Sequence, residues 1–291
     1  MSLGPDDLVC SHFTLTGSMP MSPPRFSFAE RVAAASGAGF AGIGCLVDDY
    51  FAEREVGLSD ADAAAILDDH GIVLAEIEFL FDWSADPSET ARVENARRLQ
   101  ERAWAMADAF HPRVVSVGEL VGADELPAAD VLTERFAALC DRAAEHDLLV
   151  AVEFMPFSGI ADVADACALI RHSERPNAGL NVDSWHYFRG FPDMTALAAC
   201  ADRAFMIQLD DADAEVVGEL FEDTMLRRRY PGEGSFDLVG FLALLHESGA
   251  PAPKSVEILS TDHQTLPVDE AARRAHDSTR AVVDAARNAT G

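Results

Sequence analysis

Residues 148–190 read LLVAVEFMPFSGIADVADACALIRHSERPNAGLNVDSWHYFRG. Two short apolar runs stand in this segment, and each ends on an acid. LLVAV leads into Glu153; AGLNV leads into Asp183, with His186 three residues further on. Between them, DVADACALIRHS carries a helical pattern. Strand, helix and strand at this length make a βαβ unit. Continuous apolar runs suit parallel strands covered on both faces. A carboxylate at the C-terminal end of successive parallel strands stands where α/β enzymes hold their chemistry.

Working outward, the same alternation repeats. Toward the N-terminus, strands are expected at 8–15, 40–46, 72–81 and 113–120. Helical patterns follow them at 26–39, 58–71, 86–110 and 126–147. Gly37 and Gly39 stop the first helix; Ser59 N-caps the second and Gly71 ends it. A Pro- and Met-rich loop, SMPMSPP, follows the first strand, and an acidic loop follows the second. Toward the C-terminus, strands are expected at 204–212 and 253–260, with helices at 194–203, 236–249 and 267–288. A long polar loop ending in RRRYPGEG precedes the helix at 236–249. Eight strand–helix pairs in strict alternation predict one (β/α)8 TIM barrel, a single domain over 1–291. An open doubly wound sheet would need a Gly-rich phosphate turn after the first strand, and SHFTLTGSMP is not one.

Composition narrows the function. The formal charge of -28 argues against a nucleic-acid backbone or an anionic membrane as partner, because both select clustered Lys and Arg. Cys10, Cys45, Cys140, Cys167 and Cys200 are odd in number and form no CxxC pair, so buried free thiols in a reducing cytoplasm are expected. The N-terminus shows no basic-then-apolar leader, and no apolar run is long enough to span a bilayer.

Four polar residues break the last four apolar runs: Glu153 in VAVE, Asp183 in LNVD, Gln208 in FMIQ and Glu257 in SVE. Barrel closure would bring these strand ends to one mouth. Facing carboxylates repel and raise one another's pKa unless a cation sits among them. Oxygen donors favour Mg²⁺ or Mn²⁺, with Co²⁺ acceptable, over Zn²⁺. Taken singly, each acid could equally be a polar strand end satisfied by an N–H group or an Arg.

VEFMPF, GLNVDSWH, MIQLDDA, RRRYPGEG and VEIL together resemble the sugar phosphate isomerase/epimerase family, with its xylose-isomerase-like barrel. The chain is similar to the ketose 3-epimerase, hydroxypyruvate isomerase and inosose dehydratase branches. The resemblance implies that Glu153, Asp183, Gln208 and Glu257 hold one divalent metal, Mn²⁺ by preference. Many relatives carry His at the third position, where Gln208 stands here. The resemblance further implies that Glu153 and Glu257 also move protons and that His186 touches the substrate. An Arg before PGEG would do so too, Arg228 as first choice and Arg229 as second.

Weaker candidates surround this set. His12 and Thr14 end the first strand and either face the mouth or sit in the core. Glu76 and Glu78 share one strand parity, so both point inward or both outward, with Glu78 nearer the mouth. Trp185 and Phe188 flank His186 and suit packing against a sugar ring. Glu119 would add a polar wall. Phe79, Phe81 and Trp83 suit core or cavity lining, and Asp210 and Asp211 suit a cap or a loop.

A metal on adjacent oxygens of a hydroxy-ketone acidifies the neighbouring C–H and stabilises the enediolate. Proton return at another carbon or face gives isomerisation or epimerisation; loss of a β leaving group gives a lyase or dehydratase. A small polyhydroxy ketone is the expected partner, with a homo-oligomer admissible. A barrel subunit that kept its core and lost turnover is the competing reading. A DNA-repair endonuclease of this barrel type is excluded by the missing His ligands and basic face.

Overall fold

The computed structural model describes residues 3–20 and 22–290. Met21 of the Pro- and Met-rich loop and the extreme ends of the 1–291 span lie outside them. Eight strands run in chain order: β1 Leu8–Cys10, β2 Gly42–Leu46, β3 Val73–Leu80, β4 Val114–Val117, β5 Leu149–Glu153, β6 Ala178–Asp183, β7 Ala204–Leu209 and β8 Lys254–Val256. Each pairs in parallel with the next, and β8 closes on β1. The sheet is a single eight-stranded parallel barrel, the TIM-barrel architecture.

The helices pack outside. They are α1 Phe28–Ala38, α2 Val47–Glu55, α3 Asp60–His70, α4 Thr90–Phe110, α5 Ala129–Ala144, α6 Val163–Ser173, α7 Ser184–Arg189, α8 Met194–Cys200, α9 Leu220–Leu226, α10 Leu238–Glu247 and α11 Val268–Thr290. Ser27 with Glu30, and Ser59 with Asp62, form capping boxes at α1 and α3. Gly39 and Gly71 end these helices at φ 101° and 66°, in the left-handed region that favours glycine. Gly37, expected to share in the first stop, lies inside α1.

Four sequence expectations need correction. First, β1 ends at Cys10, and His12–Leu15 form a 3-10 turn. The Thr14 hydroxyl donates to Val256 O at 2.8 Å and accepts from Ile258 N–H at 3.0 Å, replacing the ladder that a longer β1 and β8 would share. Second, the acidic loop after β2 is α2; Asp48 and Asp49 lie in its first turn, where the helix dipole favours anions. Third, the polar loop before PGEG contains α9, and SWHYFR is α7, begun by the Asp183 carboxylate accepting from His186 N–H at 2.9 Å. Fourth, Cys167 on α6 and Cys200 at the end of α8 pair as a disulfide, Cα atoms 6.2 Å apart; Cys10, Cys45 and Cys140 are free and buried. The 33-residue separation hides that pairing from any motif search. Among the described residues no helix is long and apolar enough to cross a membrane.

Candidate active site

Strand register assembles the site. Glu153 pairs with Asn181, Asp183 with Gln208, and Gln208 with Ser255 across successive strands. Their side chains enter the barrel interior, where bonds run between strands far apart in sequence. Asn181 Nδ2 donates to Gln208 Oε1 at 2.9 Å and reaches Ser116 Oγ at 3.3 Å. Ser116 in turn donates to Glu76 Oε1. Glu76 and Glu78 therefore both point inward.

Above this layer lies a carboxylate cluster. Glu153, Asp183 and His186 each place one ligand atom within 4.8 Å of the others, and all three are buried. His186 Nε2 stands 3.2 Å from Glu153 Oε1. Arg228, 3% exposed, holds the other side of the cluster. Its Nη1 donates to Asp183 Oδ2 at 2.7 Å and to Asp210 Oδ2, and lies 3.1 Å from Glu257 Oε2. Thr224 Oγ1 accepts from Nε and Nη2 at 3.1 and 2.9 Å, fixing the guanidinium plane.

The electrostatics follow from burial. Desolvation raises the Glu153 carboxyl well above its ordinary range, helped by Asp183 and Glu257 and opposed by Arg228. Desolvation raises Glu257 too, against the pull of Arg228. At Asp183 desolvation works upward, but Arg228, His186 and the hydrogen bonds outweigh it and hold the carboxyl low. Burial pushes His186 down to about 4, so its ring is neutral at neutral pH. An imidazole lone pair and converging carboxylates are donors that suit a divalent cation. The repulsion that raises Glu153 is what such an ion removes. The residues present therefore fit a metal.

The sequence candidates divide as follows. Glu153, Asp183, Glu257, His186 and Arg228 converge; Gln208 lies in the layer below, its Oε1 accepting from Asn181 Nδ2. Arg229 is exposed and pairs with Asp213 at 2.6 and 2.8 Å, outside the cluster. Adjacent residues on an extended segment point to opposite sides, which separates the two arginines. His12 is fully buried with both ring nitrogens engaged, by Asp49 at 2.7 Å and Arg31 at 2.8 Å. Its N–H, at 3.0 Å from Glu78 Oε1, is what touches the site. Trp185 is fully buried beneath the cluster, edge-on to His186, so the exposed ring-stacking surface expected of it is not there. Glu119 is taken up by Ser84 N–H at 2.8 Å and Arg92 at 3.3 Å. Trp83 is core, its indole N–H donating to Gly118 O at 3.1 Å. Asp211 shapes the PGEG turn: its carboxylate accepts from Gly232 N–H at 3.1 Å and Phe236 N–H at 3.0 Å.

Sequence reasoning misses Ser11, Asn181 and Thr224, and it places Asp210 in a cap or a loop rather than on Arg228. Asn181 and Asp210 share strand parity with Asp183 and Gln208, a signal available in GLNVD and QLD. Ser11 and Thr224 carry no such mark.

The family described as xylose isomerase-like TIM barrel matches residues 32–282. The chain belongs to this family. It is 26% identical to the 3-dehydroshikimate dehydratase of Pseudomonas aeruginosa over 87% of this chain and 38% of that protein. It is 30% identical to the inosose isomerase of Bacillus velezensis over 54% of each. The chain thus spans about half or less of the length of these curated relatives. Among solved structures, the IolI protein with a bound zinc atom superposes with a TM-score of 0.83 at 21% identity, covering 96% of this chain and 98% of that one. A D-allulose 3-epimerase from Methylomonas sp. gives 0.72 at 18% identity, with coverage of 96% and 99%. The curated relatives thus include isomerases and dehydratases, and the structural likenesses establish the shared barrel.

Proposed function

We propose that this barrel is a divalent-metal-dependent isomerase or epimerase acting on a small, uncharged keto-sugar or keto-cyclitol. One observation carries the choice of an uncharged substrate. Arg228, the cation at the centre of the site, is already shared by Asp183, Asp210 and Glu257. A substrate carboxylate or phosphate would enter beside these acids and compete for that guanidinium. A hydroxyl-rich ketone meets acceptors it can donate to.

Glu153, Asp183 and Glu257 would hold the ion, with Gln208 or His186 completing the set. The oxygen-rich donors favour Mn²⁺, with Mg²⁺ and Co²⁺ close behind; His186 admits Zn²⁺ as well. Once bound, the ion supplies Lewis acidity to the ketone oxygens. The chain's own residues do the rest. One of Glu153 and Glu257 takes the proton beside the carbonyl, and the other returns one. Arg228 anchors Asp183 and Glu257, and Trp185 and the neutral His186 wall off water. Glu153, at the end of β5, and Glu257, just past β8, stand on different strands of the mouth's acidic cluster, as one group that takes a proton and one that returns it would.

A lyase or dehydratase is the second reading. It is supported by the similarity to 3-dehydroshikimate dehydratase and by His186 Nδ1, which has no protein partner and is free to hydrogen-bond a leaving hydroxyl. Deuterium exchange from solvent into a panel of ketoses and inososes, followed by NMR with Mn²⁺ present, tests both. Exchange with recovery of an isomer supports the first reading, and enone formation the second. No exchange from any ketone with metal bound would overturn both.

A further inference from the structure

Glu257 follows β8, and the bonds that seat it lead away from the barrel. Its N–H donates to Leu209 O at 3.2 Å on the β7 side. Its carboxylate meets Ser11 Oγ at 2.8 Å and Arg228 Nη1 at 3.1 Å; Ser11 Oγ also lies 3.3 Å from Glu78 Oε2. On the β1 side the strand stops at Cys10, and Thr14 takes its place. The Thr14 hydroxyl bonds Val256 O at 2.8 Å and Ile258 N–H at 3.0 Å, so it clasps the backbone on both sides of Glu257. Thr14 is itself held. His263 Nε2 lies 2.6 Å from Thr14 O, and His263 Nδ1 lies 2.5 Å from the Tyr230 hydroxyl. Thr14, His263 and Tyr230 are all buried.

The direction of these bonds follows from chemistry. A carbonyl only accepts, so Nε2 carries the ring hydrogen. Burial pushes His263 down to about 4, so at neutral pH the ring holds one hydrogen and Nδ1 accepts from Tyr230 O–H. Each hydrogen in the chain meets an acceptor, and a buried polar network satisfied in this way specifies one arrangement. Tyr230 stands two residues after Arg228, on the segment leading into PGEG. That segment runs beside the residues that follow Glu257: Arg228 N–H donates to Leu259 O at 3.0 Å and Thr261 N–H to Leu226 O at 3.1 Å. The bonds therefore close a ring. It passes from the Glu257 backbone through Thr14, His263 and Tyr230 to Arg228, and returns to the Glu257 carboxylate.

We propose that Thr14, His263 and Tyr230 are positioning residues that seat Glu257 in the mouth and tie its place to the segment carrying Arg228. The role given to Glu257 rests on the proposed isomerase function. None of the three touches the reacting atoms; they act through the backbone on either side of Glu257.

Thr14→Val keeps the side-chain shape and removes both hydroxyl bonds. Tyr230→Phe removes one hydroxyl at the far end of the chain and serves where Thr14→Val fails to fold. In crystal structures without metal or substrate, both variants should lose the 3.1 Å contact between Glu257 and Arg228, and Thr14→Ser, which retains the hydroxyl, should keep it. By calorimetry, Mn²⁺ affinity should be about tenfold weaker in Thr14→Val and Tyr230→Phe and restored in Thr14→Ser. With saturating Mn²⁺ and inosose, kcat should fall about tenfold with KM unchanged. Glu257 in its wild-type place in both variants overturns the proposal. So does a lowered melting midpoint with Mn²⁺ affinity and kcat unchanged, the result of a network that only supports the fold. Should wild type bind no Mn²⁺ or leave inosose unconverted, the functional reading fails, and the variant structures still decide whether this chain seats Glu257.

Discussion

Arg228 Nη1 lies 2.7 Å from Asp183 Oδ2, with both side chains buried. The pair joins the loop before PGEG to the end of β6, and it neutralises a cluster that would otherwise repel itself. Removing one partner of a buried ion pair costs about 3–5 kcal/mol, because the other charge is left without compensation. Arg228→Met should lower the unfolding free energy of the metal-free protein by about that amount. Urea denaturation measures it. Mn²⁺ should recover part of the loss, since it would bind the same carboxylates; a variant as stable as wild type would remove Arg228 from its central place.

Metal itself should stabilise the fold. A ligand that binds only the folded state adds about 2.7 kcal/mol at a hundred times its Kd. Titration with Mn²⁺, Co²⁺ or Zn²⁺ should raise the melting midpoint, and EDTA should reverse the gain. Asp183→Asn should abolish the effect. A midpoint indifferent to all three ions would argue that Arg228 alone serves as the counter-charge.

Glu153→Gln and Glu257→Gln should keep a carbonyl oxygen for the ion while losing the base. Turnover should fall on the order of 10²–10⁴-fold, with metal content by elemental analysis largely retained. If one acid removes the proton and the other returns it, only one variant will still wash deuterium into the substrate. Near-wild-type turnover in both would move the acid/base roles to His186 and Glu78.

Glu76 offers a pH test that needs no substrate. Burial raises its carboxyl from 4.5 to about 8, against the lowering effect of the Ser116 hydrogen bond. Between those values the unfolded chain has released the proton and the folded chain has kept it. The folded state binds more protons, so stability is fully present below the unfolded value and is lost as pH rises through the folded one. Glu76→Gln should remove that slope, so the variant gains on wild type between about pH 5 and about pH 8. Chemical denaturation at a series of pH values reads the difference; parallel curves would mean that Glu76 is ionised in the fold.

Much of the architecture is legible in the sequence because its causes are local. An apolar run such as AGLNV is buried on both faces whatever its neighbours are, and Ser59 followed by Asp62 caps a helix by itself. The acids at the ends of β5, β6 and β8 interrupt their apolar runs, and an interruption is visible in the residue order alone. SWHYFR gives no helical signal of its own, because it is short and depends on the Asp183 carboxylate to begin it. The run LVCSHFTL suggests a longer β1 than forms, because Thr14 borrows its partners from β8, at the far end of the chain.

By itself, then, the sequence determined eight alternating strand–helix units, an acidic surface, and the acids that break the apolar runs. Only the tertiary structure decided which polar groups meet. It chose Arg228 over Arg229, turned Glu76 and Glu78 inward, paired Cys167 with Cys200, and set Ser11 between Glu78 and Glu257. The physical reason is barrel closure. Hydrophobic periodicity reports which face of a strand is covered, a property of neighbouring residues. Contacts between Ser11 and Glu257, or between Glu76 and Asn181, depend on strand register and on β8 returning to β1, which no local pattern encodes.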